Sequence, residues 1–348
     1  MVSSILWNNE LLEPVIITYN RSQCLERTIQ AFQDAGLGSM KLHVLDNAST
    51  DSTRSVVEKF QKNWPLLTYH RNTFNIGGNA NILRAVELSQ SEYFWVIGDD
   101  DLWLFGGIAE LQEKLVQREA DIIRLGWLVD DKSRGKIVES LELAWSEKFF
   151  FASLSMISSV IVRREIFVRN LPYCYMNIAD SYPQMVPFYK TITSSSLKCY
   201  TLINDVVTHT PDPQPGYFMG DLEWHSAYIR GTRFLDNSDL RSKAVRELMD
   251  YTEKVNNRRF NMFSHFKNFF YLAMKSKAYG FDQMPYLLNM LCYAQGYRGI
   301  IGLLVIVYLS MPTWLVRFLV MGLRRYCKLT TDVEEVRRFF LEGRSRRL

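Results

Sequence analysis

The sequence predicts an α/β fold: a mostly parallel β-sheet with helices on both faces, followed by a helical C-terminal region. Three observations carry this. First, over the N-terminal third, short apolar runs alternate with segments of helical periodicity, the pattern of successive βα units whose sheet is covered on both faces. Second, the apolar runs end in polar residues, at Thr18, at Asp46 and at the triplet Asp99, Asp100 and Asp101. Ligands of open α/β sheets bind outside the carboxyl ends of the strands. Third, the stretch TPDPQPGY, Thr210 to Tyr217, packs three prolines and a glycine into eight residues and reads as a junction loop. Beyond it the signals are helical to the end of the 348-residue chain.

Taken in order, EPVIIT (Glu13 to Thr18) predicts a short buried strand. RSQCLERTIQAFQDAG follows with helical periodicity and ends at Gly36, a C-cap residue. KLHVLD predicts the second strand, and STDSTRSVVEKFQKNW a helix with Ser or Thr available as N-cap. LLTYH, GGNANILRAVELSQ and YFWVIG predict strand, helix and strand, the helix opening on Gly77 and Gly78. Further on, DIIRLGWLV and SLKCYTLINDVV predict strands, and SSVIVRREIFVRN a strand feeding a helix. The implied organisation is three segments: 1–115, 116–210 and 211–348.

Composition excludes several classes. With 47% apolar and 22% charged residues the chain is globular rather than disordered. A net charge of +4 is too small to argue for nucleic acid. From Arg317 to Leu348, nine Lys or Arg against four Asp or Glu give a local +5, so the basic character belongs to the tail. The five cysteines are scattered without a CxxC pair, which argues against a disulfide framework or a structural zinc and for a reducing, cytoplasmic setting. No basic segment followed by a long apolar run opens the chain, so no signal peptide is expected. Gly299 to Val316 is eighteen residues without a charge, interrupted by Pro312 and followed by Arg317. Helices lying in a membrane interface and anchored by the basic tail account for this better than a spanning helix or a packed helical core.

The chemistry gathers at the strand ends. Asp46 opens DNASTDST, where an Asx-turn competes with a ligand contact. Asp101 could cap a helix beginning near Leu102, a role worth about 1 kcal/mol. That explains one aspartate of three. Hard divalent cations such as Mg²⁺ or Mn²⁺ prefer carboxylate oxygens and complete their shell with water and substrate phosphate, which accounts for the cluster better. Gly77 and Gly78 permit close backbone approach to a ligand, but their spacing is neither GxGxxG nor a P-loop.

Together VIITYNR, VLDNASTDST, NIGGNANILRA and FWVIGDDD, in this order over roughly Pro14 to Asp101, resemble the family 2 glycosyltransferases with the GT-A (Rossmann-like) fold. The resemblance implies a nucleotide-diphospho-sugar donor and a divalent metal, Mn²⁺ or Mg²⁺. It implies that Thr18, Tyr19, Asn20 and Arg21 line the nucleotide pocket, that Asp46 contacts the base, and that Gly78, Asn81 and Arg84 lie near the nucleotide or ribose. Asp101 would take the metal and Asp99 or Asp100 the ribose side, the family's Asp-x-Asp falling on Asp99 and Asp101, with Asp99 then a further ligand, or the work falling to Asp100 and Asp101. Gly98 departs from the family pattern, standing where many members have the first Asp of Asp-x-Asp-Asp. The resemblance also implies a carboxylate base well after the metal motif, matched here by Asp180 in NIADSYPQMVPFYK, although Ala179 stands where Glu is frequent. A single base implies inversion at the anomeric carbon. His209 stands where a late metal or diphosphate ligand is expected; Lys190 and Arg230 are further cations that could meet phosphate.

The expected activity is therefore transfer of a sugar to a lipid-linked glycan acceptor in bacterial-type surface-polysaccharide assembly, by an enzyme peripheral on the inner face of the cell membrane. A sugar-nucleotide pyrophosphorylase would need a glycine-rich, basic loop where TYNRSQ stands. A non-catalytic membrane scaffold would not need the strand-end polar groups.

Overall fold

The computed structural model describes residues 7–178, 182–192, 197–208, 221–255, 284–294 and 296–316, with residues 270, 273, 274, 277 and 318. The chain divides into two compact units. One comprises Met1–Asp212 with Phe234–Asp236, the other Pro213–Arg233 with Asn237–Leu348.

The first unit begins as alternating strand and helix: β1 (Leu12–Thr18), α1 (Ser22–Asp34), β2 (Leu42–Asp46), α2 (Thr53–Gln61), β3 (Leu67–Arg71), α3 (Gly78–Leu88) and β4 (Tyr93–Gly98). β5 (Leu102–Trp103), α4 (Ile108–Gln117), β6 (Ile122–Arg124), β7 (Ile137–Val138), α5 (Leu141–Ala144), α6 (Phe150–Ser155) and β8 (Val160–Arg163) follow. α7 (Arg164–Met176), α8 (Val186–Thr191), β9 (Cys199–Thr201) and β10 (Val207–Thr208) complete it. The main sheet has eight strands in the order β3-β2-β1-β4-β8-β6-β9-β7. β1 runs parallel to β2 and β4, and β2 to β3; β8 is antiparallel to both β4 and β6, and β7 to β9. β5 and β10 form a separate antiparallel ribbon.

Register sets up the site. Thr18 pairs with Asp46, Asp46 with Arg71, and Ile17 with Gly98, so four strand ends finish side by side. β1 and β4, in the middle of these four, are largely apolar on both faces because helices cover both, whereas β3 (LTYHR) at the edge is polar and only partly buried. In β4, Tyr93, Trp95 and Ile97 are fully buried in one large cluster with Phe32 of α1 and Trp64. The opposite-facing Phe94 packs edge-on against Phe167 of α7. α1 buries Leu25, Thr28, Ile29 and Phe32, the i, i+3, i+4, i+7 stripe of an amphipathic helix. It stops where Gly36 adopts φ +76°, with Leu37 N–H donating to the Phe32 carbonyl, so the expected glycine C-cap is present.

Three expectations are corrected. No helix begins at Leu102: Leu102 and Trp103 form β5, and the next helix starts at Ile108. Asp101 therefore caps nothing. The reason is Trp103, whose ring packs against Phe32, Trp95 and Phe105 and draws this segment into an extended path over the core. The strand expected over DIIRLGWLV shortens to Ile122–Arg124, ending before Gly126 at φ +145°. The run SLKCYTLINDVV splits into β9 and β10, which belong to different sheets.

The second unit contains α9 (Asp221–Gly231), α10 (Ser238–Val255), α11 (Met284–Tyr293) and α12 (Arg298–Ser310) among the described residues. None of the described helices is long and apolar enough to cross a membrane.

Candidate functional site

Asp99 is the hub of the strand-end cluster. It is 3% exposed, and its carboxylate accepts from Thr18 Oγ1 at 2.6 Å and from Arg21 Nη1 at 3.1 Å. Its carbonyl accepts from Thr28 Oγ1 of α1 at 2.9 Å. The same Arg21 nitrogen reaches Asp100 Oδ2 at 2.6 Å, so one guanidinium spans two of the three aspartates. Burial pushes the Asp99 carboxyl up to about 6, against the opposing pull of Arg21 and Thr18.

Asp101 stands differently. Among the described residues no Lys, Arg or His forms an ion pair with it. Burial drives its carboxyl up to about 7, and the neighbouring Asp100 and Asp99 push the same way; a Ser158 hydrogen bond and the Arg21 charge pull against them. Ser158 also accepts the Gly98 N–H at 2.7 Å, so one fully buried hydroxyl ties the end of β4 to the carboxylate beyond it. The role of Gly98 is steric. A Cβ there would lie 2.9 Å from Asp101 Oδ2 and 3.3 Å from Asp100 Oδ1. The turn folds its carboxylates back over the glycine, so a side chain at the position where the family pattern has Asp would have to push those carboxylate ends aside.

The residues expected on the nucleotide side form a second hydrogen-bonded layer. Asp46 is 1% exposed; it accepts the Ser49 N–H at 2.8 Å and the Tyr69 hydroxyl at 2.6 Å, with Arg71 Nε at 3.4 Å. Its oxygens are thus committed to the β2 turn and to β3. Asn20 sits at φ +52° and Ala48 at φ +66°, the left-handed region that non-glycine residues enter at a cost. These strained turns interlock: Asn20 N–H donates to Ser49 Oγ, and Thr50 N–H donates to Asn20 Oδ1 at 2.7 Å. Tyr19 lies half-buried between Thr18 and Asn20.

Asn81, 3% exposed, accepts from Asn72 Nδ2 at 2.8 Å, and Asn72 also donates to Asn47. This asparagine ladder fixes the N-terminus of α3 against β2. Gly77 takes φ +86°, and Cβ atoms built on Gly77 or Gly78 would meet nothing within 4 Å, so this helix start faces open space. Arg84 is exposed two turns along α3, where its charge is felt by His70 and Tyr175 rather than by the aspartates.

Asp180 and His209 lie outside the described residues. The segment leading to Asp180 is nonetheless tied to the site: Asn79 Nδ2, in the first turn of α3, donates to the Ile178 carbonyl at 2.9 Å. Of the further cations, Lys190 sits over the Tyr173 ring, 4.2 Å from its centroid. Among the described residues no group of three or more His, Cys, Asp or Glu is disposed to hold a metal. Within the expected pair of ligands, Asp99 is engaged by Thr18 and Arg21, whereas Asp101 is held by Ser158. Two contributors were not expected from sequence: Thr28, hidden in the buried stripe of α1, and Ser158, sixty residues from the glycine it binds. Neither carries a local signal.

A mixed sheet whose parallel strands β1 to β4 end in polar residues around the buried Asp46 and Asp99 defines the class of α/β domains that bind ligands at the strand carboxyl ends. Residues 15–163 match the model of glycosyl transferase family 2, and the fold is of the GT-A type. The abequosyltransferase RfbV of Salmonella typhimurium is 32% identical over 128 residues, 36% of this chain and 37% of that protein. The GalNAc(5)-diNAcBac-PP-undecaprenol beta-1,3-glucosyltransferase of Campylobacter jejuni is 30% identical over 104 residues, 30% of this chain and 34% of that protein. The chain thus spans just over a third of the length of the curated relatives it matches. Among solved structures, S. aureus TarS 1-349 in complex with UDP-GlcNAc superposes with a TM-score of 0.54 at 14% identity, covering 84% of this chain and 90% of that one. At that identity the likeness speaks for the fold.

Proposed function

We propose that this protein moves a sugar from a nucleotide-diphospho-sugar to a hydroxyl of a lipid-linked glycan acceptor in surface-polysaccharide assembly, with a divalent cation, Mn²⁺ or Mg²⁺, at Asp101. The observation that carries this reading is the electrostatic state of the β4 terminus. One guanidinium serves Asp99 and Asp100 of the three adjacent carboxylates, and the half-buried Asp101 has its carboxyl raised to about 7 with no cation paired to it among the described residues. A hard divalent cation with water and diphosphate oxygens in its remaining positions fits such a donor, because one or two carboxylates and substrate phosphate are the usual shell of Mg²⁺. Once bound, the cation would offset charge on the departing diphosphate.

The chain's own groups then divide the work. Arg21 neutralises Asp99 and Asp100 and holds them toward the ribose side. Thr18 and Ser158 fix the orientation of Asp99 and Asp101. Asp46, held by Ser49 and Tyr69, acts as the anchor of the base-side turn that presents Tyr19 and Asn20, and Gly78 leaves the α3 amides open to the donor. Asp180 takes the acceptor proton, and a single base of this kind gives inversion. His209 is the candidate late ligand. The lipid-linked acceptor draws on the printed name of the Campylobacter relative and on the apolar, basic C-terminal sequence. It would place the enzyme peripherally on the inner face of the cell membrane.

The test is calorimetric binding of a panel of UDP-, GDP- and dTDP-sugars with Mn²⁺ or with EDTA. One donor binds only with the metal, and Asp101→Asn removes that metal dependence. Metal-independent binding, or no binding of any donor, overturns the reading.

A further inference from the structure

α12 is apolar on two opposite faces. Ile301, Leu304 and Tyr308 are buried, whereas Leu303, Ile306 and Leu309 are 51%, 64% and 67% exposed. At about 100° per residue the two sets point in roughly opposite directions around the helix. The helix stops at Met311, a turn resumes at Pro312, and Trp314 and Phe318 continue the apolar surface at 70% and 73% exposure. A contiguous surface of this kind marks an interaction site, in contrast to single scattered apolar residues.

Charge and length identify what covers it. From Gln283 to Thr331 the sequence runs 49 residues without one Asp or Glu, while carrying Arg298, Arg317, Arg324, Arg325 and Lys328. Arg298 is exposed at the N-terminal end of α12. Protein surfaces of mixed charge would find no complementary cations-and-carboxylates pattern here; an anionic surface finds only attraction. Thirteen residues at 1.5 Å each make α12 about 20 Å long, short of the roughly 30 Å hydrocarbon core of a bilayer. An apolar helix too short to cross, opening on Arg298 and followed in sequence by Trp314 and Arg317, has the composition of an element that lies in the interface.

We propose that the exposed face of α12, with Trp314 and Phe318 beyond it, docks in the plane of an anionic lipid bilayer with Arg298 at headgroup level. This deepens the membrane-facing part of the function proposed above. It requires no donor, metal or turnover, so the two can fail separately.

The test is flotation of the full chain with vesicles of phosphatidylcholine alone or with 30% phosphatidylglycerol, without nucleotide. The chain should float with the anionic vesicles and at least tenfold less with the neutral ones. Raising the salt to 0.5 M should weaken the anionic binding severalfold. Ile306→Asp with Leu309→Asp should lower it at least tenfold while leaving the urea midpoint and donor binding as in wild type. Arg298→Glu, which leaves the apolar face intact, should lower it severalfold. Equal flotation with both vesicle types, or undiminished flotation of the double variant, overturns the proposal. So does a wild-type dimer in sedimentation that the double variant converts to monomer without any vesicle binding, since a second copy would then cover the face.

Discussion

Replacing Arg21 by alanine isolates the electrostatics of the strand-end cluster. The guanidinium lies 3.1 Å from Asp99 and 2.6 Å from Asp100, with its side chain 16% exposed and those of the aspartates 4% and 24% exposed. At an effective dielectric constant of about 20, one charge pair at that distance is worth about 5 kcal/mol before desolvation. Removing one partner of a buried pair costs about 3–5 kcal/mol, because the other charge is left uncompensated. Asp100 keeps water; Asp99 does not. The expected loss is therefore about 3 kcal/mol at pH 8. Its pH dependence has a definite sign. The Asp99 carboxyl is already raised to about 6 in the fold, above its unfolded value, and loss of Arg21 raises it further. Such a group favours the fold at low pH and loses that contribution as pH rises through the folded value. Arg21→Ala should thus be most damaging at pH 8 and milder at pH 5, where Asp99 takes up a proton. In an Asp99→Asn background the same substitution should cost markedly less. Urea unfolding of the four proteins at both pH values, in EDTA, measures all of this. An unchanged midpoint at pH 8, or equal losses at pH 5 and pH 8, would refute the reasoning.

Three further outcomes are expected. In EDTA, Asp101→Asn should stabilise the protein at pH 8, by about 1–4 kcal/mol, with the gain vanishing toward pH 4, since the wild-type carboxyl is held near 7; thermal unfolding across that range checks it. Gly98→Ala places a methyl 2.9 Å from Asp101 Oδ2, a side-chain end that can move aside. Stability should fall by only about 1 kcal/mol, whereas metal-dependent donor affinity, read by calorimetry, should drop tenfold or more. Asp180→Asn should abolish transfer in a radiolabelled-sugar assay while donor affinity stays within about twofold; normal transfer would remove Asp180 from the base role.

The N-terminal half of the fold was legible because each element there obeys a local rule. YFWVIG is β4 residue for residue, and the periodicity of RSQCLERTIQAFQDAG gives α1 with Gly36 at its end. The middle was less legible because its elements are short and decided by distant partners. β8 inserts antiparallel between β4 and β6, and nothing in VIVR announces that direction. The helix cap considered for Asp101 failed for a similar reason: Leu102 and Trp103 have no local turn chemistry, and the aromatic cluster around Trp103 decides their path. Within the site, residue types at the strand ends were readable from sequence. The committed oxygens of Asp46, the outward placement of Arg84 and the grip of Ser158 on Asp101 depend on three-dimensional neighbours.

The long reach of these contacts bears on how the protein is made. Asp99 is held by Thr18, Arg21 and Thr28 from 81, 78 and 71 residues upstream, and Gly98 by Ser158 from 60 residues downstream. Contacts of such separation form slowly, after the entropy of closing large loops has been overcome. On the ribosome the first half of the sheet can pair while the segment bearing Ser158 is still in the exit tunnel. In that interval Asp101 lacks the hydroxyl that orients it. A nascent chain arrested before residue 158 would have β1 to β4 and the contacts of Asp99, but neither β8 nor the hydroxyl that holds Asp101.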